Sequence, residues 1–450
     1  MTVDAFELVK LFADGSTTPL IELEKSIMKM DSVQSVFISQ SLDRAFREAK
    51  ASTERWENAC PLSSFDGVAI AWKDLIDVAG LVTTAGSKVF KHHSPAQHDA
   101  EVVSALTRMG MVNIGKTNLT EFAYSGLGLN PHFGTPANVV EPKCIPGGSS
   151  SGSAVAVGQD IVKISMGTDT AGSIRIPSAF NGLVGYRSSC ARYSKEGVFP
   201  LASSLDTLGP LARSVRDCYV LDCLLHGQAN VQLPKYPLFQ QLKFYVDLDL
   251  LQDPAITIAV KNNFLYAIER LAQAGACIQY QRITAIHKTL SLIDSGKWLG
   301  AAEAFTLHED LLNSDAATQL DSRVRSRLET ARHLPASVQI GLYQIARSLK
   351  QLISQELCDG FLLSPTVAHT APQRAPLEQD ETLFFQTNIK TLRLTMPGSF
   401  LDMPCLTLPN GSDEYGLPTA LLISGTCNQD QKVLHAALAV EQVLAGSFNK

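Results

Sequence analysis

No run of apolar residues in this chain approaches the ~18 needed to cross a bilayer, and the opening MTVDAFELVK holds no signal-peptide core. These absences argue against a membrane partner and predict a cytoplasmic protein. Basic clusters are missing too. With 38 Lys and Arg against 44 Asp and Glu, the net charge is −6 and no stripe of cations is available to neutralise phosphates, which excludes nucleic acid as the main partner. The nine cysteines are odd in number and scattered, without a C-x-x-C pair, so they read as reduced thiols. The ten histidines form neither H-x-x-x-H nor H-E-x-x-H spacing, so no metal and no cofactor is expected. Internal repeats and low-complexity linkers are absent as well, and one integrated domain over 1–450 is expected.

What is present is the composition of a soluble globular enzyme, 45% hydrophobic and 18% charged. Residues 1–60 carry three amphipathic helical patterns and read as a helical wrap around the core. From about 65 to 225, short apolar strands (Val68 to Trp72, Val112 to Ile114, Ile161 to Met166) alternate with helical stretches, which implies a mixed or parallel central sheet of an α/β fold. Residues 225–355 read as mainly helical and as a capping region within the same domain. Strand patterns return at 361–365 (FLLSP), 405–409 (CLTLP) and 419–424 (TALLIS), followed by a closing helix near 433–444. The sheet is therefore expected to draw on distant parts of the chain.

The chemistry concentrates between 147 and 175, in GGSSSGSAVAVGQDIVKISMGTDTAGSIR. Hydrolysis of an amide needs an activated nucleophile, a proton for the departing amine and donors aimed at the oxyanion. GTDTAGS follows a strand pattern and closes a tight turn, so the N–H groups of Thr170, Ala171, Gly172 and Ser173 are placed to converge on one point, with Gly172 permitting close main-chain approach. Lys73 directly follows a buried-strand pattern. Desolvation there would favour its neutral amine and make it a candidate general base.

At these residues the sequence resembles the amidase signature family, whose members use a Ser-Ser-Lys triad with one serine in a cis peptide. The resemblance extends through IGKTNLTEFAYSG (114–126), FGTPAN (133–138), FNGLVGYRSS (180–189) and SLDTLGPLARSV (204–215). It implies that Lys73 is the catalytic lysine, Ser149 the bridging cis-serine and Ser173 the acylated nucleophile. It also implies that Ala123, Tyr124, Ser125, Gly126 and Leu127 line the substrate pocket. The implied fold is an α/β/α sandwich around a mixed, twisted sheet of about eleven strands. Ser151 and Ala171 stand where many members have glycine, and both departures keep a small side chain.

Two other motifs compete. Ser150 sits in a formal G-x-S-x-G, yet Glu141 to Gly147 contains two prolines and no strand pattern, so the strand that a nucleophile elbow requires is missing. GMVNIGKT (110–117) formally matches a phosphate-binding loop, but Met111 to Ile114 reads as the strand itself. Asp169 and Arg175 flank the nucleophile. They read as a brace for the turn ahead of a site for a substrate carboxylate. The expected activity is hydrolysis of a small carboxamide through a Ser173 acyl-enzyme. An allophanate hydrolase-like enzyme and an amidotransferase A-type subunit needing partner subunits are the alternatives, and a homodimer is left open.

Overall fold

The computed structural model describes residues 3–235 and 239–446, so the extreme ends of the expected 1–450 domain lie outside the described residues. Its centre is one sheet of eleven strands. In chain order these are β1 (Phe37–Gln40), β2 (Ala69–Lys73), β3 (Val112–Thr117), β4 (Ile164–Asp169), β5 (Val184–Arg187) and β6 (Thr207–Ala212), then β7 (Lys243–Val246), β8 (Cys277–Tyr280), β9 (Phe361–Pro365), β10 (Cys405–Ser412) and β11 (Pro418–Ser424). Across the sheet the order is β1-β3-β2-β4-β6-β5-β10-β11-β9-β7-β8. β2 runs parallel to both β3 and β4, and β7 runs parallel to β8 and β9, while the remaining pairs are antiparallel. This is the mixed α/β sheet that the sequence implied.

Side-chain alternation along the strands explains why helices cover both faces. Ile70 and Trp72 of β2, Ile164 and Met166 of β4, Leu406 and Leu408 of β10, and Leu421 and Ile423 of β11 enter one core. The helices Ala5–Ala13, Val215–Leu225, Ile258–Gln273 and Asp430–Ala445 close that side. Ala71 faces the opposite way, into a core built with the helix Ser151–Gly158 and with Leu23, Met30, Ala45 and Ala49 of the N-terminal helices. Those helices are well specified locally. Pro19–Ser32, for example, begins with proline and is capped by Thr18, whose side chain accepts from the Ile21 amide.

Three strands fall in segments that the periodicity assigned to helix. β1 lies inside the 1–60 wrap and pairs with β3, and β7 and β8 lie inside the 225–355 cap. Each has four residues, and β8 is almost wholly exposed at the sheet edge, so neither length nor apolar alternation marks it. Among the described residues, no helix is long and apolar enough to cross a membrane.

Candidate active site

Because β2, β3 and β4 are parallel, their C-terminal ends lie together, the usual place for a site in such a sheet. Lys73 ends β2 and Asp169 ends β4. Lys73 is completely buried, and its Nζ donates to Ser149 Oγ at 2.6 Å, to Thr168 Oγ1 at 2.8 Å and to the Thr168 carbonyl at 3.4 Å. Burial lowers its pKa to about 7, with the more distant charges of Asp169 and Asp206 opposing the shift. No carboxylate pairs with it among the described residues.

Ser149 reaches the lysine from the loop that leads into Ser151–Gly158. The Gly148–Ser149 peptide is cis. Gly148 packs so tightly that a Cβ there would meet the Gly128 main chain, and its amide donates to the Gly126 carbonyl at 2.8 Å. Ser150, the serine of the competing elbow motif, is buried, donates to the Thr168 carbonyl at 3.3 Å and has no strand before it.

The turn from Thr170 to Ser173 is held from outside while its amides stay unengaged. Thr170 Oγ1 donates to Asp206 at 2.5 Å, Thr395 Oγ1 donates to the Ala171 carbonyl at 2.6 Å, and the Ser150 amide donates to the Ser173 carbonyl at 3.2 Å. The amides of Ile174 and Arg175 are taken by Asp169 Oδ2. Those of Thr170, Ala171, Gly172 and Ser173 donate to no other group among the described residues. Gly172 has φ +144°, and a Cβ there would collide with Thr395 Oγ1, so only glycine fits.

Asp169 anchors this turn rather than serving as a solvent-facing group. Arg175 grips it in a fork, with Nε at 3.0 Å and Nη2 at 2.9 Å, and Arg187 Nη1 lies 3.4 Å away, all three side chains being fully buried. The cations hold its carboxyl far below the usual range. Arg175 also reaches Ser399 and the Thr395 carbonyl, which ties the turn to the C-terminal third of the chain. Its guanidinium is thereby spent on structure.

Of the five residues expected to line a pocket, only Tyr124 is partly exposed. Leu127 packs into a core with Ile176 and Phe180. Ser125 Oγ and the Gly126 amide both donate to Asn388 Oδ1, at 3.1 and 2.9 Å. Near the lysine, a cavity of about 240 Å³ is lined by Thr168, Leu75, Phe199, Leu201 and Asp206. Lys116 of the phosphate-loop match lies within β3, buried, with Asp74 at 2.6 Å. Asp247, Asp249 and His287 form a compact acidic group at the end of β7, six strands and about 29 Å from β4 at ~4.8 Å per strand.

A family model described as Amidase matches residues 22–434. The chain belongs to the amidase family. Similar proteins include the A-type subunit of the glutamyl-tRNA(Gln) amidotransferase of Synechococcus elongatus, 31% identical over 439 residues, 90% of each chain. Another is the 2-amino-5-chloromuconic acid deaminase of Comamonas testosteroni, 30% identical over 89% of this chain and 87% of that one. A crystal structure of an amidase superposes with a TM-score of 0.86 at 30% identity, covering 98% of this chain and all of the other. As a member of the amidase family, the protein is an amide-hydrolysing enzyme. Sequence reasoning missed Thr168, Asn388 and Thr395 around the site. Thr168 lies within the GTDTAGS motif, whereas nothing local marks the other two.

Proposed function

We propose that this amidase hydrolyses a small carboxamide through a covalent intermediate on Ser173, with Ser149 and Lys73 relaying the proton. The observation that carries this reading is the 2.6 Å contact between Lys73 Nζ and Ser149 Oγ in a fully buried setting. A lysine with its pKa near 7 is in large part a neutral amine at neutral pH, which is what a general base requires.

Lys73 takes the Ser149 proton as Ser149 takes that of Ser173, and Ser173 Oγ forms a bond to the amide carbon. The carbonyl π electrons move onto oxygen, where the amides of residues 170–173 receive the charge, each aligned donor contributing about 3 kcal/mol. The C–N bond then breaks, and the proton returns through Ser149 to the leaving nitrogen, giving ammonia or an amine. Water enters by the same relay and frees the carboxylate product. The relay calls on no metal or cofactor.

Treatment with a fluorophosphonate followed by peptide mass spectrometry should place the adduct on Ser173. An adduct on Ser150 would overturn the assignment. Ser173→Ala should abolish ammonia release, and Ser149→Ala should lower it severely while leaving the nucleophile in place. The similarity to an amidotransferase component favours a second reading, in which the chain works with partner subunits. Partner chains co-purifying with the native protein at fixed stoichiometry would support that reading.

A further inference from the structure

The helix Ala336–Leu357 turns Leu342, Ala346, Leu349 and Ile353 into the core. Arg347, Lys350 and Gln351 of the same helix line a cavity of about 840 Å³, together with Ser204, Leu205 and Thr426 from other parts of the chain. Small-molecule sites commonly span ~300–1,000 Å³. Lys73, Ser149 and Ser173 do not line this cavity, which is therefore separate from the proposed relay.

Its cations are left without partners. Arg347 is exposed and makes no ion pair or hydrogen bond among the described residues. Lys350 reaches Asp402 only at 3.7 Å, beyond hydrogen-bond distance. The nearby carboxylates are already engaged. Asp402 accepts from the Cys190 amide at 2.8 Å and from Cys427 Sγ at 3.2 Å, and Glu303 accepts from the Ser204 amide at 3.0 Å and from Tyr343 Oη at 2.9 Å. Residues three apart on a helix have Cβ atoms about 5–6 Å from each other, so Arg347 and Lys350 present two positive charges side by side. A guanidinium fork beside an ammonium matches a ligand with two negative charges.

The segment from Leu201 to Asp206 divides this cavity from the one beside Lys73. Ser204 and Leu205 line the larger space, while Leu201, Ser203 and Asp206 line the smaller. The same segment braces the turn of the proposed nucleophile. Asp206 accepts from Thr170 Oγ1 at 2.5 Å, and Arg187 Nη1 donates both to the Leu205 carbonyl at 3.4 Å and to the Asp169 carbonyl at 2.5 Å. A ligand seated against Ser204 and Leu205 therefore rests on a partition whose other side meets the turn.

We propose that this cavity is an effector site for a small dianion, a dicarboxylate or a phosphate, held by Arg347 and Lys350, and that its binding fixes the partition at 201–206. The site is additional to the amide chemistry above.

Calorimetric titration with malonate and with inorganic phosphate, at a pH where both are dianions, tests the site, with acetate at equal ionic strength as the monoanion control. The wild-type protein should bind a dianion saturably and more tightly than acetate, and the tighter of the two names the source. Arg347→Gln should raise Kd about ten- to a hundredfold, the range for a lost charge-assisted hydrogen bond. Arg47→Gln, which removes an exposed arginine of the helix Leu42–Glu57, should leave Kd unchanged. Absence of saturable binding, acetate binding as tight as the dianions, or equal Kd in wild type and Arg347→Gln overturns the proposal. Hydrogen exchange reads the partition. The Leu201 and Ala202 amides donate to Asp206 Oδ2 at 2.8 and 2.9 Å, and saturating dianion should slow their exchange in the wild type and not in Arg347→Gln. Unaltered exchange in the saturated wild type overturns the coupling. Neither measurement needs turnover, so failure of the acyl-enzyme reading, seen as no adduct on Ser173, leaves both decisive.

Discussion

Two buried lysines stand side by side in this sheet and have opposite fates. Lys73 ends β2 and Lys116 lies in β3, on parallel strands where Trp72 is in register with Lys116 and Lys73 with Thr117. Both side chains are fully buried. Lys116 meets the carboxylate of Asp74 at 2.6 Å and also donates to Thr83 Oγ1. Among the described residues, Lys73 meets only hydroxyls and a carbonyl. Burial penalises the charged form of each and lowers both pKa values, but at Lys116 the facing Asp74 carboxylate opposes the shift directly, while the hydroxyls around Lys73 return little. Strand position therefore made two candidates, and only Lys73, which has no carboxylate partner among the described residues, fits the proposed role of base.

Removing each lysine in turn should break the comparison most sharply. Lys73→Ala should lower kcat by about 10²- to 10⁴-fold, the usual contribution of a general base, while circular dichroism stays native. An unchanged kcat in a folded variant would reject the base role. Lys116→Ala should act on the fold instead, because it strands the buried Asp74. Urea unfolding should report a loss of about 3–5 kcal/mol, with kcat of the folded protein within tenfold of wild type.

The pH dependence separates the pair further. Below pH 7, Lys73 is protonated in both folded and unfolded chains, and kcat should rise about tenfold per pH unit, levelling off above the lysine's value of about 7. Between that value and the ordinary lysine range, the unfolded chain binds the extra proton, so stability should rise with pH. Lys73→Ala should reduce that slope in urea midpoints collected across pH. The smallest effect is expected from Thr168→Val. Without that hydroxyl the charged amine loses an acceptor, so the midpoint of the kcat profile should move to lower pH by less than one unit.

How much of this was legible in the sequence depended on whether the cause was local. FLLSP became β9 at Phe361–Pro365 because both faces of that strand are buried and its apolar run is uninterrupted. KFYV and CIQY gave no such sign, since β7 and β8 are four residues each at one margin of the sheet. The serines and lysine stood out because their motifs are contiguous. Asn388 and Thr395 come to Gly126 and to the turn from more than 200 residues further along the chain, through packing that no spacing rule encodes.

The collision that a side chain at Gly172 would have with Thr395 also carries a consequence for biosynthesis. The turn of the proposed nucleophile is completed by Thr395 and Ser399, which meet Ala171 and Arg175 from far along the chain. A ribosome that has released everything up to residue 380 has made every member of the proposed serine-lysine relay, yet has not made the wall that shapes it. A nascent chain of that length should therefore be without activity. Its activity should switch on late and abruptly, as a single event near the end of synthesis.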